Sequence, residues 1–294
     1  MTPTSAFYRP DSTAASSAPD PLRTGARNGV CAIHQPNLFP RLSTLAKLYA
    51  ADRWIVLDNV QFARRDYQHR TRLAALDAPD RQQWLTLPVN LPQGRPTLIS
   101  QALLAEPSRS RRTAEPLIRQ YYGRSRHWPV VRTVLDTVLA RLADTDSVAD
   151  IAETSTRVLL DSLGWRGEVL YGSTFPARPG RSARLADLAL ATGSTHYLCG
   201  SGGMRYLDPE PFGAHGIPVL PFRTPVDDGD PLWRLARRVS SLWALSSIGP
   251  QALAARMNVG RQARSGPIPG YGKGRGPKTP PETTETPAHG QTRQ

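Results

Sequence analysis

The stretch from Gly29 to Asp58 constrains the fold more than any other. Gly29 to Ile33 (GVCAI) is a short apolar run ending in the polar His34-Gln35-Pro36-Asn37, which predicts a buried strand delivering a loop, since a proline disfavours helix in the residue before it. Ser43 to Ala51 then has helix composition, with Leu42, Leu45, Ala46 and Tyr49 on one face. Arg53 to Asp58 (RWIVLD) is β-branched and aromatic and again ends in polar residues. Strand, loop, helix and strand in this order make a βαβ unit, and such units build parallel sheets whose sites lie at the carboxyl ends of the strands. His34 and Asp58 are expected at those ends.

Downstream, alternation in Tyr67 to Leu73 puts Arg70 and Arg72 on one strand face, and Trp84 to Val89 and Thr97 to Ile99 are further strand candidates. From Arg109 the pattern turns helical. Val130, Val131, Val134, Leu135, Val138, Leu139 and Leu142 recur at helical spacing, as do Val148, Ile151, Ser155, Val158, Leu159 and Leu163, with Gly164 as terminator. An alternating stretch follows: strand Glu168 to Tyr171, helix Ser182 to Thr192, strands Thr195 to Cys199 and Ile217 to Pro221, and a last amphipathic helix over Pro231 to Met257. The expectation is an α/β fold, a single mainly parallel-sheet domain over residues 29–260 built from βαβ units with an inserted helical segment. Residues 1–28 and 261–294 are short of aliphatic residues and rich in Ser, Thr, Pro, Gly and Arg, and are expected to be disordered tails.

The net charge of +13 is spread over the chain, with 28 basic and 20 acidic residues between positions 29 and 260. Arginine far outnumbers lysine, so compositional bias accounts for much of the charge; a polyanionic small molecule is the partner it fits, and nucleic acid is a poorer match. The tail segment Gly270 to Gly276 (GYGKGRG) is only weakly RNA-like and reads as a solvated end. No run approaches eighteen apolar residues and no apolar leader opens the chain, so a cytoplasmic location without a membrane span is expected. Two cysteines, Cys31 and Cys199, form neither a disulfide framework nor a zinc-type cluster, and no metal site is expected from ligand spacing. Oligomeric state is not legible.

Three segments could carry chemistry. In His34 to Pro40 (HQPNLFP), two prolines hold His34, Gln35 and Asn37 in a rigid loop after a buried strand, suited to a ligand or to a capped turn. In the second, Asp58, Asn59 and Gln61 precede Arg64 and Arg65, with Tyr67, His69, Arg70 and Arg72 beyond; a strand-end carboxylate and several guanidiniums suit an anionic ligand, or a charged loop with its own ion pairs. The third is Tyr197 to Asp208, where Gly200, Ser201, Gly202 and Gly203 permit close backbone approach to an anion and Arg205 adds charge; the bland alternative is a bend needing positive φ. It matches neither the dinucleotide-binding nor the P-loop pattern. Cys199, ending an apolar strand, reads as a small buried hydrophobe before it reads as a nucleophile.

In order, CAIHQPNLFP, LAKLYAADRWIVLDNVQFARR, YQHRTRL, WLTLPV, SARLADLALATGSTHYLCGSGGMRYLD and GIPVLPF resemble the WbqC-like protein family over about residues 30–255. The resemblance implies a setting in sugar or natural-product biosynthesis. One departure is local: where the family often has Trp and Asn ahead of its Arg, Tyr67, Gln68 and His69 precede Arg70. The layout is also similar, more distantly, to adenylate-forming ligases of the pantothenate synthetase type, although His34 lacks the second histidine of their HxGH pattern. That similarity implies ATP with Mg²⁺, His34 on the α-phosphate, Gln61 and Arg70 orienting an acid, and Ser201 and Arg205 on phosphates. The expected function is a biosynthetic enzyme joining an acyl or aminoacyl group to an amine, a transferase or ATP-dependent ligase. Expected catalytic residues are His34, Asp58 and Arg70; substrate contacts Gln35, Asn37, Gln61, Arg64 and Tyr67; phosphate contacts Gly200, Ser201, Gly202 and Arg205. The alternative is a non-catalytic protein binding a nucleotide sugar or nucleic acid.

Overall fold

A computed structural model describes residues 29–224 and 231–262. In chain order the strands are β1 (Val30–His34), β2 (Arg53–Val56), β3 (Arg70–Ala74), β4 (Gln82–Thr86), β5 (Val89–Asn90), β6 (Leu103–Leu104), β7 (Glu168–Tyr171), β8 (His196–Gly200) and β9 (Val219–Phe222). The helices are α1 (Leu42–Tyr49), α2 (Pro107–Tyr122), α3 (Trp128–Asp144), α4 (Val148–Ser162), α5 (Arg181–Ala191), α6 (Glu210–Ala214), α7 (Pro231–Arg234) and α8 (Ser241–Gln262).

Five strands form one sheet in the order β7-β2-β1-β8-β9, every neighbouring pair parallel. Winding starts at β1, runs outward through β2 to β7, then returns to the other side of β1 for β8 and β9. This is the doubly wound arrangement, and its switch point, where ligands bind in such sheets, lies between the carboxyl ends of β1 and β8. Alternation along the strands feeds two cores. Cys31, Ile33, Ile55, Tyr197 and Cys199 pack with Ala186, Leu188 and Ala189 of α5 and Phe212 of α6. Ala32, Trp54, Val56 and Leu198 pack with α1, α3, α4 and α8 on the opposite face. Burial on both faces is why β1 and β2 read as continuous apolar runs.

Between β2 and β7 the chain inserts the antiparallel pairs β3–β4 and β5–β6 and the helices α2 to α4. At Gly164 (φ 77°), Trp165 N donates to Leu160 O at 3.1 Å, the left-handed stop expected after α4.

Three expected elements take a different form. Trp84 to Val89 is split between β4 and β5, because Pro88 offers no N–H to continue the ladder. Thr97 to Ile99 is no strand: Thr97 Oγ1 donates to Gly94 O across a turn, and only Leu98 makes an isolated bridge, to Gln61. The helix expected over Pro231 to Met257 is divided into α7 and α8, and α8 itself is broken at Gly249 (φ 80°, ψ 170°) ahead of Pro250. The tails expected at 1–28 and 261–294 lie outside the described residues, apart from 261 and 262, with which α8 ends. Among the described residues no helix is long and apolar enough to cross a membrane.

Candidate functional site

The loop after β1 is built to hold its shape. Phe39 N donates to Ser155 Oγ of α4 at 2.8 Å, and Phe39 O accepts from Thr71 Oγ1 of β3 at 2.9 Å and from Ser240 Oγ at 3.0 Å. Thr156 Oγ1 lies 2.9 Å from Asn37 O and Ser155 Oγ 3.1 Å from it. These contacts keep Phe39 at φ 41°, a backbone conformation that non-glycine residues seldom adopt and that costs on the order of 1–3 kcal/mol. The result fixes His34 and Gln35 at the carboxyl end of β1.

Two clefts adjoin there, sharing Ile33, His34, Tyr197, Gly202 and Gly203. The first, about 400 Å³, lies between the start of α1, the loop after β8 and the end of β9. It gathers Arg41, Lys47, Arg205 and Arg237 with Ser43, Thr44, Gly200 and Ser201. No aspartate or glutamate lines it, and none of its four cations has an ion-pair partner, among the described residues. Lys47 is 6% exposed; its Nζ donates to Ile33 O at 3.2 Å, and burial pulls it down to about 8. The N–H groups of Leu42 and Ser43 at the start of α1 are already bound to Val239 O and Ala236 O, so the positive potential comes from side chains and not from an open helix end.

The second cleft, about 600 Å³, lies on the other side of His34. Ile33, Leu57, Val60 and Leu185 give it an apolar floor, while Gln35, Gln61, Arg181, Arg184 and Tyr206 supply polar groups and a rim. Gln35 Oε1 accepts from the buried Gln68 Nε2 at 2.7 Å, which orients the Gln35 amide. Arg184 donates to Asn59 O at 3.2 Å, and the Arg181 guanidinium lies 5.6 Å from the centre of the exposed Tyr206 ring.

His34 stands between the two. Its Nε2 is buried and, among the described residues, has no hydrogen-bond partner. Burial, then Lys47 and Arg41, hold the imidazole well below the ordinary histidine value, and only Asn37 favours its charged form. At neutral pH it is therefore an uncharged donor or acceptor, and the positive charge beside it belongs to Lys47 and Arg41.

The structure thus gathers His34, Gly200, Ser201, Gly202 and Arg205 around one cleft and His34, Gln35, Gln61 and Gly202 around the other. None of the β8-loop glycines has positive φ, and only Gly203 is needed for space: a Cβ there would meet Cys199 Sγ at 2.7 Å, whereas one on Gly200 would make ordinary contact with Lys47 Cδ at 3.6 Å and one on Gly202 would meet nothing within 4 Å. The remaining candidates sit elsewhere. Asp58 accepts from Ser173 N at 3.0 Å and Ser173 Oγ at 2.6 Å, clasping the end of β2 to the turn after β7. Arg70 folds back on its own loop, donating to Asp66 O and Arg65 O and lying 4.5 Å above the Trp84 ring, with Arg72 at 4.6 Å. Tyr67 packs on Trp84 and carries Arg41 4.1 Å above its ring, so it bears on the first cleft through Arg41. Asn37 is buried, and Arg64 lines a separate cleft with Gln61 and Arg95. A larger hollow of about 860 Å³ beside the β3–β4 hairpin carries the exposed Asp77–Arg81 pair and the exposed Arg124 as its charged lining.

Lys47, Arg181 and Arg184 escaped the sequence reading, and Tyr206 and Gln68 lay in segments it singled out but received no role there. Lys47 had a signal: it is the only lysine between residues 29 and 260. Burial raises the Cys199 thiol, which is 1% exposed and serves as packing. Among the described residues no three His, Cys, Asp or Glu side chains are placed to hold a metal ion.

No curated protein and no solved structure matches the chain. The WbqC-like protein family matches residues 35–225, from Gln35 of the histidine loop past the end of β9 and through the walls of both clefts. The chain belongs to the WbqC-like protein family.

Proposed function

We propose that the chain is a biosynthetic group-transfer enzyme that joins an acyl or aminoacyl group to an amine on a sugar or natural-product intermediate, drawing on ATP. The observation that carries this is the cation-lined cleft at the switch point, whose four positive side chains face no carboxylate among the described residues. Such a cleft suits an anion, above all at the buried Lys47, and it adjoins a second, half-apolar cleft across a single neutral histidine. When bound, ATP supplies activation of a carboxylic acid as an acyl-adenylate with release of pyrophosphate. Toward it Lys47, Arg41, Arg205 and Arg237 hold phosphate oxygens, and the Gly200–Gly203 backbone permits close approach. His34 offers one neutral hydrogen bond at the junction, and Gln35 and Arg184 orient the acid in the second cleft. Mg²⁺ would arrive on the phosphates, in keeping with its habit of binding through substrate oxygens.

Thermal-shift titration of the full chain with Mg-ATP, nucleotide sugars and coenzyme A thioesters tests this. Mg-ATP is expected to raise Tm, and Arg205→Ala, at an exposed position, is expected to lose the rise. Acid-dependent pyrophosphate release would then identify the acid. No shift with any nucleotide refutes the proposal. A shift with a nucleotide sugar that is recovered unchanged after long incubation favours a binding protein instead.

A further inference from the structure

The two clefts differ in a way that bears on which acid is used. Resting on the function proposed above, we infer that the cleft floored by Ile33, Leu57, Val60 and Leu185 takes a carboxylic acid with an apolar, ring-bearing body and no ammonium group: an acyl donor, not an aminoacyl donor.

The charge balance favours this choice. Arg181 and Arg184 open α5, a helix that begins without a side-chain cap, so the partial positive charge of its first turn adds to theirs. Neither arginine has a carboxylate partner, and no aspartate or glutamate lines the cleft, among the described residues. Gln35 has its carbonyl occupied by Gln68, which leaves its amide N–H groups to donate. A carboxylate entering here meets donors and cations on one side. An amino acid would bring an ammonium group into the same space with no counter-charge and with guanidiniums as neighbours, which costs desolvation and repulsion together. The apolar floor gives the acid's body somewhere to lie. Tyr206, 69% exposed at the rim with Arg181 at its ring, offers a flat face against which a ring packs.

The experiment is isothermal titration calorimetry of the full chain with 3-phenylpropanoate, phenylalanine and 2-phenylethylamine, each with and without a non-hydrolysable ATP analogue so that ordered binding is seen. These three share one body and differ only in carboxylate and ammonium. The acid is expected to bind at least about tenfold more tightly than phenylalanine, a difference of about 1.4 kcal/mol, and the amine not to bind. Tyr206→Ala and Arg181→Gln, both at exposed positions, are expected to weaken the acid about fivefold or more while leaving Tm unchanged. Phenylalanine binding as tightly as the acid overturns the inference, as does absence of acid binding in both conditions or indifference to both variants. The two proposals fail separately. An ATP-induced shift without acid binding removes this one and leaves the nucleotide cleft, whereas acid binding without any nucleotide effect keeps this one and removes the ATP-dependent function.

Discussion

Replacing Lys47 with methionine should make the protein more stable while disabling its first cleft. The side chain is 6% exposed, its Nζ contacts the Ile33 carbonyl, and no carboxylate neutralises it among the described residues. Its folded value of about 8 lies below the ordinary 10.5, and every tenfold loss of proton affinity is worth about 1.4 kcal/mol, so the charged form costs the fold about 3 kcal/mol at pH 7. The sign follows from proton counts. Between pH 8 and 10.5 the unfolded chain holds more protons at this group than the folded chain, so wild-type stability rises with pH relative to a variant without it. Methionine keeps the stem's length and removes the charge. Urea unfolding at pH 7, 9 and 10 should give Lys47→Met an advantage of about 3 kcal/mol, then about 2, then under about 1. Added pyrophosphate should stabilise the wild type and not the variant. A variant no more stable than wild type at pH 7, or a gap that does not change with pH, would refute the reasoning, because a lysine satisfied by an internal partner predicts both.

Gly249 occupies a backbone conformation reserved for glycine, and a Cβ there would lie 2.5 Å from the His127 ring; Gly249→Ala should cost about 2–4 kcal/mol in chemical unfolding, with part recovered by adding His127→Ala, which relieves the clash but not the backbone strain. Gly203→Ala should displace the β8 loop and weaken Mg-ATP or pyrophosphate binding, and Cys199→Ala in the same chain should restore it by removing the sulfur that the new methyl meets at 2.7 Å. Asp58→Ala and Ser173→Ala should each destabilise by about 1.5–3 kcal/mol and combine non-additively in a double-mutant cycle, as partners in one hydrogen-bonded clasp do; additive effects would mean the two do not act through each other.

The middle of the central sheet was legible because β1, β2 and β8 are buried on both faces and so read as uninterrupted apolar runs, with Pro36 and the glycines from Gly200 on marking where β1 and β8 end. The site was legible in part for the same reason: strand ends announce themselves, so His34, Gln35 and the loop after Gly200 were found from where the runs stop. What failed was telling a committed polar group from a free one. Asp58 and Arg70 look like ligand-binding residues in a one-dimensional reading, yet their partners are Ser173, 115 residues away, and backbone carbonyls of the adjacent loop. The opposite error hid Lys47. Its place off the Leu42, Leu45, Ala46 and Tyr49 stripe suggests solvent, but α1 is covered on nearly every side, so even its polar positions are enclosed. Arg181 was missed because it sits at no strand end; α5 carries it to one, beside Tyr206 of the turn after β8.

The histidine loop is fastened by chain that is synthesised long after it. Phe39 draws its three anchoring hydroxyls from Thr71, Ser155 and Ser240, the last 201 residues further along. The loop is therefore the keystone of an arch, put under load only when the inserted helices and the segment leading into α8 have been set. Until the ribosome delivers Ser240, Phe39 has no reason to hold its left-handed turn, and the groove between β1 and β8 lacks its finished wall. The finished shape of both clefts beside His34 would therefore arrive only with the last of these anchors.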